Sequence, residues 1–213
     1  MRINLYCFHM IFTSFMKNTL LPCTLLLLLS TGLLLSFIAP KTIITLPVDL
    51  NKSKIEWVGR KVGGKHNGFI SIASGAVQTN GKTLTGGAFV IDATSMIDTD
   101  LKFKKENNWL MGHLKDNFFE VSKFPKVSFV ITSVSSDGNN YIVTGKLTIK
   151  DITQEIKFPA VITTTVSGVN ASANIHIDRK KFNVIYGSGF VKELADKAIK
   201  DEFEVNVTLV AGK

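Results

Sequence analysis

Residues Val127–Lys150 read VSFVITSVSSDGNNYIVTGKLTIK. Val127, Phe129 and Ile131 fall on one side of a period-two pattern, and Ser128, Val130 and Thr132 on the other. SSDGNN is turn chemistry. Beyond it, Tyr141, Val143, Leu147 and Ile149 alternate with Ile142, Thr144, Lys146, Thr148 and Lys150. Alternation puts successive side chains on opposite faces of a strand, so this stretch reads as an antiparallel hairpin with one apolar face. Gly145, inside the second strand, marks a point of curvature.

The same grammar extends in both directions. Ile55, Trp57 and Gly59 alternate with Glu56, Val58 and Arg60. GGKHNG then reverses the chain into a strand over Phe69–Ser74. Asn80-Gly81 predicts a hairpin through a type I′ turn, whose two central residues need positive φ. A strand follows over Leu84–Asp92, with Gly86-Gly87 as a bend. Ile156–Thr164, Asn170–Ile177 and the closing EFEVNVTLV, where Phe203, Val205, Val207 and Leu209 share a face, continue the pattern. The reading is all-β, with eight antiparallel strands. A sheet of that length stacks or closes, and the strand glycines favour closure into a barrel. An eight-stranded interior is either filled by side chains or holds one small ligand, and the pattern leaves both open. Two segments have helical stripes instead. LKFKKENNWLMGHLK aligns Phe103, Leu110 and Leu114, and VKELADKAIK aligns Val191, Leu194, Ala195 and Ala198. One or two short helices near the barrel mouth are therefore expected.

Residues 1–44 contain no acidic side chain and only Arg2, Lys17 and Lys41 as strong cations, around LLPCTLLLLLSTGLLLSFIA. A basic start before a long apolar run is the pattern of a signal peptide or an N-terminal membrane anchor, here with a Pro-bounded spacer. Met16-Lys17-Asn18 has the composition of such a start. The expectation is an exported protein, periplasmic or secreted, or held to a membrane surface through residues 19–39. Cys7 and Cys23 both lie in this segment, so residues 45–213 must stand on a hydrophobic core without disulfides. In that domain 22 cationic side chains face 17 acidic ones, a balance of +5. Only Arg60 and Arg179 are arginines, so the forked donors that read phosphates and bases are scarce, and a nucleic-acid role is not expected.

Candidate chemistry is thin. His113 with Asp116 is the one pair that suggests a general base, for a hydrolytic or transfer enzyme on an apolar substrate. No serine or cysteine stands out as nucleophile, and YGSGF around Ser188 is not a hydrolase elbow. His113 is expected instead to bond backbone at the end of a short helix. His66, His113 and His176 each stand alone in their segments, without a His or Cys at ligand spacing, so no metal site and no cofactor is expected. Gly63-Gly64-Lys65 lacks the strand–loop–helix context of a phosphate loop.

Four motifs occur together in order: GGAFVIDATSMIDTD (86–100), GHLKDNFFEVSKFPKVSFVIT (112–132), GKLTIKDITQEIKFPA (145–160) and IDRKKFNVIYGS (177–188). In order and spacing the chain resembles the YceI-like family of exported polyisoprenoid-binding proteins, over about Val48–Ala211. GKHNGFISIASG and the closing DKAIKDEFEVNVTLVAGK look like the branch common in Bacteroidota. The resemblance implies a lipocalin-like barrel with a helix beside its mouth. It implies a lumen for an isoprenoid or other long-chain lipid, such as a quinone tail or fatty-acyl chain, and binding rather than catalysis. Two departures stand out. Asp151 takes a position where the family often has Gly, and NNWLMGHL lacks the Arg-Asp pair many members carry before the His-Leu step.

The residues expected to meet such a ligand are apolar. From alternating strand positions come Trp57, Phe69, Phe89, Ile91, Phe129, Ile131, Leu147, Ile149 and Ile162, with Phe203 on the last strand. From the segment covering the mouth come Trp109, Leu114, Phe118 and Phe119. Adjacent Phe118 and Phe119 cannot both point inward from a strand, which marks them as part of a cover that ends at Pro125. A ligand-free, fully packed barrel serving as a stress-related interaction module is the other outcome this pattern allows.

Overall fold

A computed structural model describes residues 42–137, 140–165, 167–186 and 199–212. Residues 1–41, including the run 19–39 expected at a membrane, lie outside the described residues. So does nearly all of the second helical stripe. Among the described residues no helix is long and apolar enough to cross a membrane.

The strands are β1 (Ile44–Pro47), β2 (Lys54–Lys61), β3 (Gly64–Thr79), β4 (Leu84–Asp98), β5 (Lys126–Asp137), β6 (Asn140–Ile149), β7 (Ile152–Thr164), β8 (Gly168–Asp178) and β9 (Ile199–Gly212). Every pairing is antiparallel. The order β3-β2-β9-β8-β7-β6-β5-β4 closes on itself through β3–β4, giving the eight-stranded barrel. The seams differ in length: β3 and β4 pair from Gly68–Asp98 to Thr79–Leu84, whereas β7 and β8 pair only over Val161–Thr164 and Val169–Ser172.

The ninth strand lies in PKTIITLPVD (40–49), the Pro-bounded stretch expected to be a spacer. β3 is longer than β2, which pairs only with Gly64–Ile70. β1 takes the far end of β3, from Ile44 opposite Thr79 to Pro47 opposite Ala76, and Val48 bridges Ala211 of β9. The two short strands thus share one slot between β3 and β9. Leu46 and Val77 are cross-strand partners, 1% and 0% exposed, and with Val169 and Ala211 they pack one end of the barrel solidly.

The turns follow local chemistry, with one correction. Asn80-Gly81 makes a four-residue connection between the paired Thr79 and Leu84, not a two-residue type I′ turn. Gly81 has φ +85°, while Asn80 Oδ1 accepts from the backbone N–H of Lys82 and Thr83 and so builds the turn with its side chain. The paired left-handed residues occur at Lys150 (φ 50°) and Asp151 (φ 58°) between β6 and β7. Asp tolerates that conformation better than most residues, which accounts for Asp151 without Gly. Gly145 is required by a ring: a Cβ there would sit 2.5 Å from Phe129.

Between β4 and β5 lies helix α1 (Lys104–His113), continued by a wider π-type turn over Leu114–Phe118. Of the expected stripe, Leu110 is buried, but Phe103 precedes the helix as its N-cap and is 71% exposed. A short 3₁₀ turn over Arg179–Phe182 follows β8, capped by Asp178, which accepts from Lys180 N–H at 3.0 Å. Both segments sit at the barrel end opposite β1.

Candidate functional site: the barrel lumen and its covered mouth

The inward faces of the strands leave a cavity of about 270 Å³. Its walls are apolar along most of their length. Ile55, Trp57, Ile70, Ile72, Phe89, Ile91, Phe129, Ile131, Leu147, Ile149, Phe158 and Ile162 contribute side chains, with Phe203, Val205, Val207 and Leu209 from β9. Three rings form a band across it: Phe89 and Phe129 stack at 6.3 Å, and Phe158 lies 5.8 Å from Phe129. The few polar lining residues are Arg60, Ser172, Arg179, Lys200 and Glu202.

Twelve of the fourteen residues expected at a ligand line this cavity; Phe69 and Trp109 do not. Phe69 pairs with Glu56 and Ile97 on the outer face, whereas its neighbour Ile70 pairs with Ile55 inside. Opposed residues share a face, so the Ile55/Ile70 pair fixes the parity and turns Phe69 outward, where it is 41% exposed. Size had suggested the ring; alternation selects Ile70 and Ile72. Trp109 lies on the exposed side of α1, 68% exposed, stacked on His113 at 5.1 Å. Phe158 was overlooked although it shares the parity of Ile162.

The mouth joins the expected Phe118 and Phe119 to two cations, Arg179 and Lys150, that the sequence left without a role there. Phe118 is buried and Phe119 partly buried, and both line the cavity. The π-type turn lets adjacent rings face inward together, as a strand could not. Phe118 packs on Tyr186 at 5.2 Å and Phe119 on Phe203 at 6.3 Å. Arg179, 3% exposed, lies beneath Phe118 with its guanidinium 5.6 Å from the ring. It donates to the carbonyls of Val184, Tyr186, Lys200 and Ile199 and to Asp201 Oδ1, and so joins the chain on both sides of residues 187–198. Burial pushes its pKa down, partly offset by Asp201 and Asp178, but an arginine stays charged.

Lys150 does the same for the cover. From the β6–β7 turn its ammonium reaches the carboxylate of Glu120, Asn183 O at 3.1 Å and Phe118 O at 3.5 Å. That hydrogen bond to Lys150 holds the Glu120 carboxyl below its ordinary range. Glu120 takes φ 48°, the reversal that ends the cover before Pro125.

Among the described residues the His113 ring bonds a side chain and not backbone. Asn117 Nδ2 donates to its Nδ1 at 2.8 Å, and Tyr186 and Phe118 meet its ring edge-on at 4.6 and 5.6 Å. Asp116 is exposed and is not among its hydrogen-bond partners. The ring is one tile of an aromatic cluster outside the lumen. His176 pairs with Glu202 at 2.8 Å, and both side chains are at least half exposed. His66 is not alone: it stands with Asp98 and Asp100, a grouping invisible to a search for His or Cys spacing.

A closed antiparallel barrel of eight strands, with an apolar lumen covered at one end, defines a lipocalin-like small barrel. Within that class the chain belongs to the YceI-like family, whose YceI-like domain matches residues 47–211. BcnA of Burkholderia cenocepacia is similar in structure: 27% identity, TM-score 0.60, covering 77% of this chain and 99% of that one. A polyisoprenoid-binding domain of Saccharophagus degradans shares the fold at 16% identity and TM-score 0.58, over 78% of this chain and 97% of its own. In sequence, a UPF0312 protein of Pectobacterium atrosepticum is 41% identical over 49 residues, 22% of this chain. That match spans about a quarter (26%) of the relative's length.

Proposed function

We propose that the barrel binds a long apolar chain in its lumen, a polyisoprenoid, quinone tail or fatty-acyl chain, as a non-catalytic carrier or reservoir outside the cytoplasm. The observation that carries this is the cavity of about 270 Å³, walled by aliphatic and aromatic side chains and reached past Phe118 and Phe119. The ligand named for the Saccharophagus degradans domain supports the same class. Such a wall needs no polar anchor, because each buried methylene contributes about 0.8 kcal/mol. The apolar run before residue 42 supports export.

Native mass spectrometry and solvent extraction of the purified protein test this reading. A co-purifying lipid, or binding of added prenyl and acyl chains, is the expected result. Within an acyl series, two extra methylenes should tighten binding about tenfold or slightly more until the lumen is full. No extracted lipid together with no binding of any chain would end the proposal. It would leave the ligand-free module in its place.

A further inference from the structure

At the rim beside α1, three side chains converge outside the lumen. One ligand atom each from His66, Asp98 and Asp100 lies within 4.8 Å of the others. His66 is on β3, Asp98 ends β4, and Asp100 begins the link to α1. His66 Nδ1 and Asp100 Oδ2 are 3.1 Å apart, and Asp100 Oδ1 accepts from Asn67 N–H at 3.0 Å. Asp98 Oδ1 accepts from Leu101 N–H at 2.9 Å and from Asn107 Nδ2 at 3.1 Å.

The other oxygen is the telling one. Asp98 is 7% exposed, and its Oδ2 is buried with no hydrogen-bond partner. A buried carboxylate oxygen without a donor is costly, and native structures supply it a partner. Its neighbour is the Asp100 carboxyl, so two acceptors face each other. The arrangement calls for something positive between the carboxyls.

We propose that His66, Asp98 and Asp100 form a binding site for a divalent transition-metal cation of the Zn2+ type. Donors on one tetrahedral ion at about 2.1 Å stand about 3.4 Å apart. The His66–Asp100 pair, at 3.1 Å, is already close to that spacing, and the third ligand, within 4.8 Å, has at most about 1.4 Å to close. An imidazole with two carboxylates suits Zn2+ better than Ca2+, which takes six or more oxygens. Asp100 is exposed, which leaves solvent a path to a fourth position. The bond from Asn107 to Asp98 supplies an outer shell and links the ion to α1. Bound metal therefore joins β3, the end of β4 and the first turns of α1.

Zn2+ titrated calorimetrically into the metal-stripped full chain near neutral pH tests this, independently of any lipid. Cys7, His9 and Cys23 stand in the first 41 residues, so the informative quantity is the difference between native and variant chains. The native chain should bind one equivalent that His66→Gln, Asp98→Asn and Asp100→Asn each weaken about tenfold or more. Zn2+ should raise the thermal midpoint of the native chain and of Asp116→Asn clearly more than that of those three. Circular dichroism checks folding, and His66→Gln and Asp100→Asn keep the test open if Asp98→Asn unfolds. Equal uptake by native and variants, or none at about a hundredfold typical site affinity in the micromolar range, overturns the proposal. So does a native chain that takes no Zn2+ yet is stabilised by acid, since a shared proton would then join the carboxyls.

Discussion

The two ends of the barrel are sealed by different physics. The end beneath β1 is closed by aliphatic side chains in strand register, where Leu46, Val77 and Val169 are essentially unexposed. The mouth is closed by rings laid over it and by two cations, Arg179 and Lys150, bonded to carbonyl oxygens of separate segments. Aliphatic packing is non-directional and static on the time average. A cover held by a few charge-assisted hydrogen bonds has discrete points of release. Changes at the packed end should therefore alter stability, and changes at the mouth should also alter the rate at which a ligand exchanges.

Arg179→Ala is the strongest test. It leaves several buried carbonyls without donors and should cost about 4 kcal/mol in urea unfolding. Leu46→Ala should cost about 3 kcal/mol by opening a cavity, yet leave the off-rate of a bound fluorescent acyl probe within about twofold. If that rate rises as much as in a mouth variant, the contrast between the ends fails. Phe119→Ala should speed probe release about tenfold by removing about 1.4 kcal/mol of barrier, measured by stopped-flow displacement.

Lys150→Met frees the cover more gently, by a few-fold in the same assay. It also brings a pH signature. The lowered Glu120 pKa means the Glu120–Lys150 pair contributes fully above the ordinary value of 4.5 and is lost as pH falls through the lower folded value. Native probe release should accelerate across that acid window, and Lys150→Met should lack the step. Val161→Thr, on the outer face of β7 at 57% exposure, should change stability by less than about 0.5 kcal/mol and exchange not at all.

Legibility followed the same division. Period-two alternation placed the eight barrel strands and most of the lumen wall, because β geometry converts parity directly into facing. Phe69 shows the limit: parity within β3 needed the Ile55–Ile70 pairing to say which set points inward. β1 was hidden because four residues beside two prolines carry too little pattern. The Phe118–Phe119 pair was recognisable as something other than strand, but the wide turn that turns both rings inward was not.

By itself, the sequence determined the alternating staves, the turn chemistry, the apolar composition of the lumen and the absence of disulfides in the folded body. These depend on residues near one another along the chain. Only the tertiary structure decided what closes the mouth and what gathers at its rim. Arg179 meets carbonyls from Val184 to Lys200, Lys150 reaches back to Glu120, and His66 meets Asp98 and Asp100 from more than thirty residues away. Such contacts arise from barrel closure and strand register, which no local pattern encodes.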